Sequence, residues 1–281
     1  MAEIAIASPD DVRQIQRRRS LDDLSIRLSL QAVERNGVWV ARDEGEVIGI
    51  AVARDSQDER FVGDLFVEPS YRDAGIGASM IEAAFGSRDD AGRAMLVGTG
   101  DAAALTLALR FRMAPNEVLL RFAGAIPREE ELAKMAAGDY RFEVAAVDAA
   151  MHAGALNELD RQARGTIRAG EHEEFARNAT GHAFFLGGES IGYAYVWPDG
   201  HLGPMACAAE AYLVQILAYA LVTMQRKYSA TWCTALVPGS NRRIARAALR
   251  AGLRIEESFL LAHDSFIGEM STYVAYHRML L

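Results

Sequence analysis

The stretch best suited to chemistry is Arg72-Asp73-Ala74-Gly75-Ile76-Gly77. Glycines at 75 and 77 let the backbone come close to a ligand with no Cβ in the way. The stretch opens a helical pattern, with Ile76, Met80, Ile81, Ala84 and Phe85 along one stripe. The first N–H groups of that helix have no partner one turn back. Those donors, with the positive end of the helix dipole, suit an anion, and Arg72 adds a guanidinium. A phosphate or pyrophosphate is the expected guest. A dinucleotide loop wants a third glycine at position 80, where Met80 stands, and the Gly-Lys-Ser/Thr of a P-loop is absent. Spacing alone also suits an ordinary strand–turn–helix whose glycines serve the turn.

Other groups compete for a role. Asp64 lies in Gly63-Asp64-Leu65-Phe66-Val67, and strand alternation puts it on the sheet face opposite Leu65. It suits a general base, or a carboxylate that accepts a backbone N–H at a sheet edge. Glu68, before Pro69, is the weaker base and reads more simply as a solvated loop residue. Arg17-Arg18-Arg19 reads as an anion patch or as a solvated helix end. The six histidines show no metal spacing, and no metal is expected. His172, beside Glu171, Glu173 and Glu174, suits a cleft for a cation or a solvated acidic helix face. Trp39, Trp197, Trp232, Tyr193 and Tyr195 read as core.

The elements that must position these groups follow from pattern. Phe61 to Val67 is a strand that ends before Pro69. Before it stand a short strand from Ile4, a helix started by Ser8-Pro9-Asp10-Asp11, a second helix closed by Asn36-Gly37, and a hairpin turning at Asp43-Glu44-Gly45-Glu46. After it come the Gly75 helix, a strand at 94–97, a helix at 102–111 and a strand at 117–123. The same plan recurs from Phe142 onward, with a strand at 202–207 matching the Phe61 strand.

The string Val67-Glu68-Pro69-Ser70-Tyr71-Arg72, followed by Gly75-Ile76-Gly77, resembles the acyl-CoA loop of the GCN5-related N-acetyltransferases, the GNAT superfamily. The resemblance implies an α/β (α+β mixed-sheet) fold occurring twice. The partition expected is a GNAT domain at 1–126, a connector at 127–138 and a degenerate GNAT-like domain at 139–281. It implies acetyl-CoA, or another short acyl-CoA, as cosubstrate for acyl transfer to a small-molecule amine. A non-catalytic acyl-CoA-binding module is the alternative. Carried over residue by residue, the CoA contacts are Leu65, Phe66, Val67, Arg72, Asp73, Ala74, Gly75, Ile76, Gly77, Ala78 and Asp101. Asp64 is the provisional base. The family's acidic Tyr has no counterpart, because Ala108 and Ala248 stand at its place. Asp101 replaces the family Asn and Arg112 its Gly, whereas the second half keeps Asn241 and Gly252 but has Ala208-Ala209-Glu210 in place of the glycine loop.

Bulk properties bound the reading. At 281 residues the chain suits two modest domains, and 51% apolar residues can build two cores. A net charge of −8 argues against general nucleic-acid binding. Cys207 and Cys233 offer no disulfide framework, and the start MAEIAIASPDD lacks signal-peptide character, so a cytoplasmic protein is expected. The apolar stretch 206–224, broken by Glu210 and Gln215, reads as a core helix rather than a membrane span. Lys134 and Lys227 are the only lysines, a bias that with abundant Ala suggests a bacterial source.

Overall fold

A computed structural model describes residues 2–19, 21–56, 59–86, 91–138, 140–168, 170–265 and 267–281. In chain order the elements are β1 (Glu3–Ile6), α1 (Pro9–Arg18), α2 (Asp23–Glu34), β2 (Val38–Asp43), β3 (Glu46–Asp55), β4 (Glu59–Val67), α3 (Ile76–Phe85), β5 (Gly92–Gly98), α4 (Ala102–Arg110) and β6 (Ala114–Ala125). Then come α5 (Glu129–Ala136), β7 (Glu143–Ala146), α6 (Ala149–Arg164), α7 (Glu171–Asn178), β8 (Thr180–Leu186), β9 (Glu189–Val196), β10 (His201–Cys207), α8 (Leu213–Tyr228), β11 (Trp232–Pro238), α9 (Arg242–Arg250), β12 (Arg254–His263) and β13 (Tyr273–Val274).

Contacts divide the chain into two units. The first holds Met1–Asn116, Leu260–Ser265 and Arg278–Leu281; the second holds Glu117–Phe259 and Phe266–His277. This division differs from a cut at 127–138, because most of β6 belongs to the second unit and the end of β12 to the first. Residue 139, at the expected boundary, lies outside the described residues.

In the first unit local chemistry sets the elements. Ser8 begins α1 with a capping box, its N–H donating to the Asp11 carboxylate at 2.7 Å. Asp22 caps α2 by accepting from the Ser25 N–H at 2.6 Å. Asn36, at φ 54°, takes the left-handed conformation after α2. The β2–β3 hairpin turns through Glu44 and Gly45, both at positive φ. The strands run β1-β2-β3-β4-β5. Val62, Ile81, Phe85, Met95, Val97 and Ala108 form the core beneath α3 and α4.

The second unit repeats the motif. Asp148 caps α6 through the N–H groups of Ala150 and Met151. The hairpin β8–β9 turns at Gly187-Gly188, and β10 pairs antiparallel with β9. Leu202, Ile216, Leu221, Val237 and Ile244 lie in its core, where α8 and α9 pack. No helix among the described residues is long and apolar enough to cross a membrane.

Candidate active site

The strand β4 is held differently along its two edges. On one edge it pairs antiparallel with β3 as far as Gly49↔Val67. On the other it pairs parallel with β5 only from Glu59↔Gly92 to Val62↔Met95. Among the described residues no pairing to β5 continues past Val62, so residues 63–67 border a wedge. An open strand edge of this kind offers backbone N–H and C=O groups to an extended, amide-bearing guest. The β3 register slips between Val52 and Ala53, which leaves Gly63 as a bulge opposite that step. The bulge re-aims the strand, so Val62 and Leu65 both pack in the core while Asp64 faces the other way.

The wedge leads into the glycine loop. Pro69–Tyr71 makes one tight turn, and Arg72 Nε donates to the Val67 carbonyl at 3.3 Å. Asp73 and Gly75 take φ values of 64° and 79°. The first helical hydrogen bond runs from the Ser79 N–H to the Gly75 carbonyl, at 3.1 Å. The N–H groups of Ile76, Gly77 and Ala78 precede that ladder. A Cβ on Gly75 would meet nothing within 4 Å, so open space lies beside the helix start. A Cβ on Gly77 would lie 3.1 Å from Leu107 Cδ1. Gly77 therefore serves helix packing as well as any ligand approach. Glu68, the weaker base candidate, donates its N–H to Ile48 and lies 3.7 Å from Arg18.

Asp64 is only 6% exposed, and its neighbours are cations. Arg19 donates to both of its oxygens, at 2.8 and 3.1 Å, and stacks over the Phe66 ring with a 4.5 Å separation. Arg278 lies 3.6 Å from the same carboxylate. Of the two readings of Arg17-Arg18-Arg19, the solvated helix end fails for Arg19, whose side chain lies on Asp64 and Phe66. Arg278 was not singled out in the sequence. The available signal was Gly63, where a Cβ would lie 2.6 Å from Met279 Cα, so only glycine lets residues 278–279 lie against the bulge.

The helix α4 supplies no acid. Ala108 is fully buried in the core. Asp101 caps α4, accepting from the Ala104 N–H at 2.9 Å. Arg112, at φ 65°, takes the left-handed place that Gly252 takes after α9 at φ 88°. In both halves the next N–H closes the turn, Met113 to Ala108 and Leu253 to Ala248. The structural equivalence of α4 and α9 thus holds despite the substitutions.

The matching wedge of the second unit is filled. β10 pairs parallel with β11 only at His201↔Thr234 and Leu202↔Ala235. Beyond that point β13 enters and pairs antiparallel with β10 at Met205↔Val274 and Ala206↔Tyr273. The Ala275 N–H bridges to the Leu236 carbonyl of β11 at 2.8 Å. Asn241 caps α9 with its side-chain oxygen and donates from Nδ2 to the Tyr273 carbonyl at 2.8 Å. Asp101 has an oxygen for the cap but no donor for the second task.

In the acidic segment that opens α7, Glu173 is exposed as a solvated face would have it, whereas His172 departs from both sequence readings. His172 is neither solvated nor at a cleft; it is buried, with Nε2 2.8 Å from Asp160 and Nδ1 3.0 Å from Tyr195. Tyr193 donates to Asp160, and Arg168 lies 3.6 Å from Asp160 and 2.7 Å from Glu171. Arg168 also donates to the Tyr273 hydroxyl. Burial pushes the Asp160 carboxyl up, but the His172 hydrogen bond and the Arg168 charge outweigh it and hold it below its ordinary value. Tyr193, Tyr195 and Trp197 are core, as read from the sequence. Trp232 is not: it is 54% exposed at the first residue of β11.

Residues 34–111 match the family model for the acetyltransferase (GNAT) domain. No curated protein matches the sequence. A putative acetyltransferase from Pyrococcus horikoshii is similar in structure, with a TM-score of 0.68 at 16% identity over 100% of this chain and 94% of that one. A GCN5-related N-acetyltransferase from Sphaerobacter thermophilus has a TM-score of 0.62 at 14% identity, covering 93% of this chain and 95% of that one. A tandem GNAT protein from the clavulanic acid biosynthesis pathway has a TM-score of 0.57 at 14% identity, covering 94% and 98%. Residues 34–111 thus carry a match to the GNAT acetyltransferase domain, and the whole chain shares its fold with tandem GNAT structures.

Proposed function

We propose that the first unit is an acetyl-CoA-dependent N-acetyltransferase acting on a small-molecule amine. The wedge between β4 and β5, leading directly to the glycine loop at the start of α3, carries this reading. The residues fit an acyl-CoA. Three N–H groups ahead of the helical ladder and the Arg72 guanidinium suit the pyrophosphate. The open β4 edge at 63–67 suits the amides of the pantetheine arm, and a backbone N–H near Phe66 or Val67 suits the thioester oxygen.

When bound, the cosubstrate supplies the activated acyl group. The chain's part is to hold the loop and edge rigid, to donate to the thioester oxygen and to receive the amine in deprotonated form. Attack by the amine nitrogen forms the C–N bond, the C–S bond breaks with CoA leaving as its thiolate, and the amine proton passes to a base. Asp64 stands in the stretch of β4 that borders the wedge. Arg19 occupies one lone-pair site on each oxygen, and a carboxylate offers about four such acceptor sites. Asp64 can therefore still accept from an ammonium or a water, and it remains the proposed base. Loss of this proton path costs about 10²–10⁴-fold in rate. Asp64→Asn should lower kcat by that range and leave acetyl-CoA affinity within threefold. Unchanged turnover would remove Asp64 from the reaction.

A second reading, acyl-CoA binding without catalysis, draws support from the buried Ala108 at the place of the family acid. Thiol release from acetyl-CoA that depends on an added amine separates the two. Release supports the enzyme, and saturable binding without release from a broad amine panel supports the binding module. Competition by desulfo-CoA would place either activity at the same loop.

A further inference from the structure

We infer that the acceptor is an amine that also carries a carboxylate, of the amino-acid type, recognised by Arg278 with Arg19 beside Asp64; this rests on the reading of the first unit as an N-acyltransferase. The charge balance comes first. Two guanidiniums face one carboxylate, and among the described residues neither Arg19 nor Arg278 is paired with any other acid. The cluster therefore keeps one unit of positive charge at a partly shielded place, with side-chain exposures of 17% for Arg19 and 25% for Arg278. Charge at such a place is less screened than on an open surface.

The two arginines are held differently. Two hydrogen bonds and the Phe66 ring fix Arg19. Arg278 has a single contact to Asp64, at 3.6 Å, which is beyond hydrogen-bond length. Its planar fork of donors is thus available for a bidentate carboxylate. The bulge at Gly63 aims Asp64 away from the core and admits residues 278–279 beside it. The whole cluster stands at the stretch of β4 whose other edge is open. A zwitterion meets opposite charges there in one place: its ammonium on Asp64 and its carboxylate on Arg278. A polyamine would place extra positive charge against the excess cation and be disfavoured.

Matched pairs test this. Thiol release from acetyl-CoA is measured with amino acids and with their amides, for the wild type, Arg278→Gln, Arg278→Lys and Gly63→Ala, beside calorimetric titration of acetyl-CoA. The expected result is a kcat/KM at least about tenfold higher for the acid member, carried by KM. Arg278→Gln should abolish that ratio, Arg278→Lys should keep part of it, and Gly63→Ala should weaken it by displacing residues 278–279. Acetyl-CoA binding should not change in the two Arg278 variants. Equal use of acid and amide by the wild type, or a preference that survives Arg278→Gln, overturns the assignment. So does better use of an amine bearing phosphate in place of carboxylate. If acetyl-CoA binds but no amine releases thiol, the acyltransferase reading falls. The anion site is then judged by direct binding of N-acetyl amino acids against their amides. Tighter binding of the acid that is lost in Arg278→Gln upholds it, and equal binding overturns it.

Discussion

Replacing Asp160 by Asn tests the buried network of the second unit most sharply. The change keeps shape and removes one charge. Asp160 is fully buried and holds His172, Tyr193 and, at 3.6 Å, Arg168. Removing one partner of a buried ion pair costs about 3–5 kcal/mol, because the other charge is left uncompensated. Glu171 still balances Arg168 at 2.7 Å, so the lower end, about 3 kcal/mol, is expected. For a unit of this size that corresponds to a fall of about 6–12 °C in Tm. Differential scanning calorimetry with near-UV circular dichroism would follow it, since Trp197 is buried against Tyr276 at a ring separation of 4.1 Å. The pH dependence adds a signed test. The folded Asp160 carboxyl lies below its ordinary value, so its contribution is present above the unfolded value, about 3.9, and is lost as pH falls through the folded one. The gap between wild type and Asp160→Asn should therefore hold from about pH 5 to 7 and close in acid below about pH 4. A Tm change under 2 °C at pH 7, or a gap that widens in acid, would refute the reasoning.

Three more outcomes follow from single positions. Gly75→Ala places a Cβ in a left-handed residue, which costs about 1–2 kcal/mol of stability, and puts that Cβ in the open space beside the helix start. Acetyl-CoA affinity by calorimetry should drop at least about tenfold, from losing charge-assisted hydrogen bonds worth about 1.5–3 kcal/mol. Arg112→Gly removes a similar strain at φ 65° and should raise stability by about 1 kcal/mol in urea unfolding; a loss would show that the Arg112 side chain contributes more than its backbone costs. Asn241→Ala removes both the α9 cap and the bond to the Tyr273 carbonyl, and should destabilise by about 2–3 kcal/mol, read from the urea midpoint.

The elements were legible where local chemistry decides them. The cap at Ser8, the glycine loop and the apolar stripe of α3 stand where their residues place them, because each depends on neighbours in sequence. Long-range pairing was not legible in the same way. Nothing local to Tyr273-Val274 announces that they join β10, some 70 positions earlier. The Gly203 position gives the only hint, since a Cβ there would lie 2.5 Å from the Ala275 carbonyl. Arg19 was hidden for the same reason: a run of three arginines looks solvated until the fold brings Asp64 to one of them. His172 looked solvated because its sequence neighbours are acidic, whereas its spatial neighbours are Asp160, Tyr193 and Tyr195. The filled second wedge gives the loss of the glycine loop in that half a physical counterpart, since a slot occupied by the chain's own strand has no use for a phosphate cradle.

The central claim is that one acyl-CoA site per chain lies at the glycine loop of the first unit. Calorimetric titration of the wild-type protein with acetyl-CoA, beside an Arg72→Ala, Gly75→Ala double variant, tests it most directly. The account predicts saturable binding at one site per chain and its loss or severe weakening in the folded variant. Two sites per chain, no binding by folded wild type, or binding unchanged in the variant would contradict it.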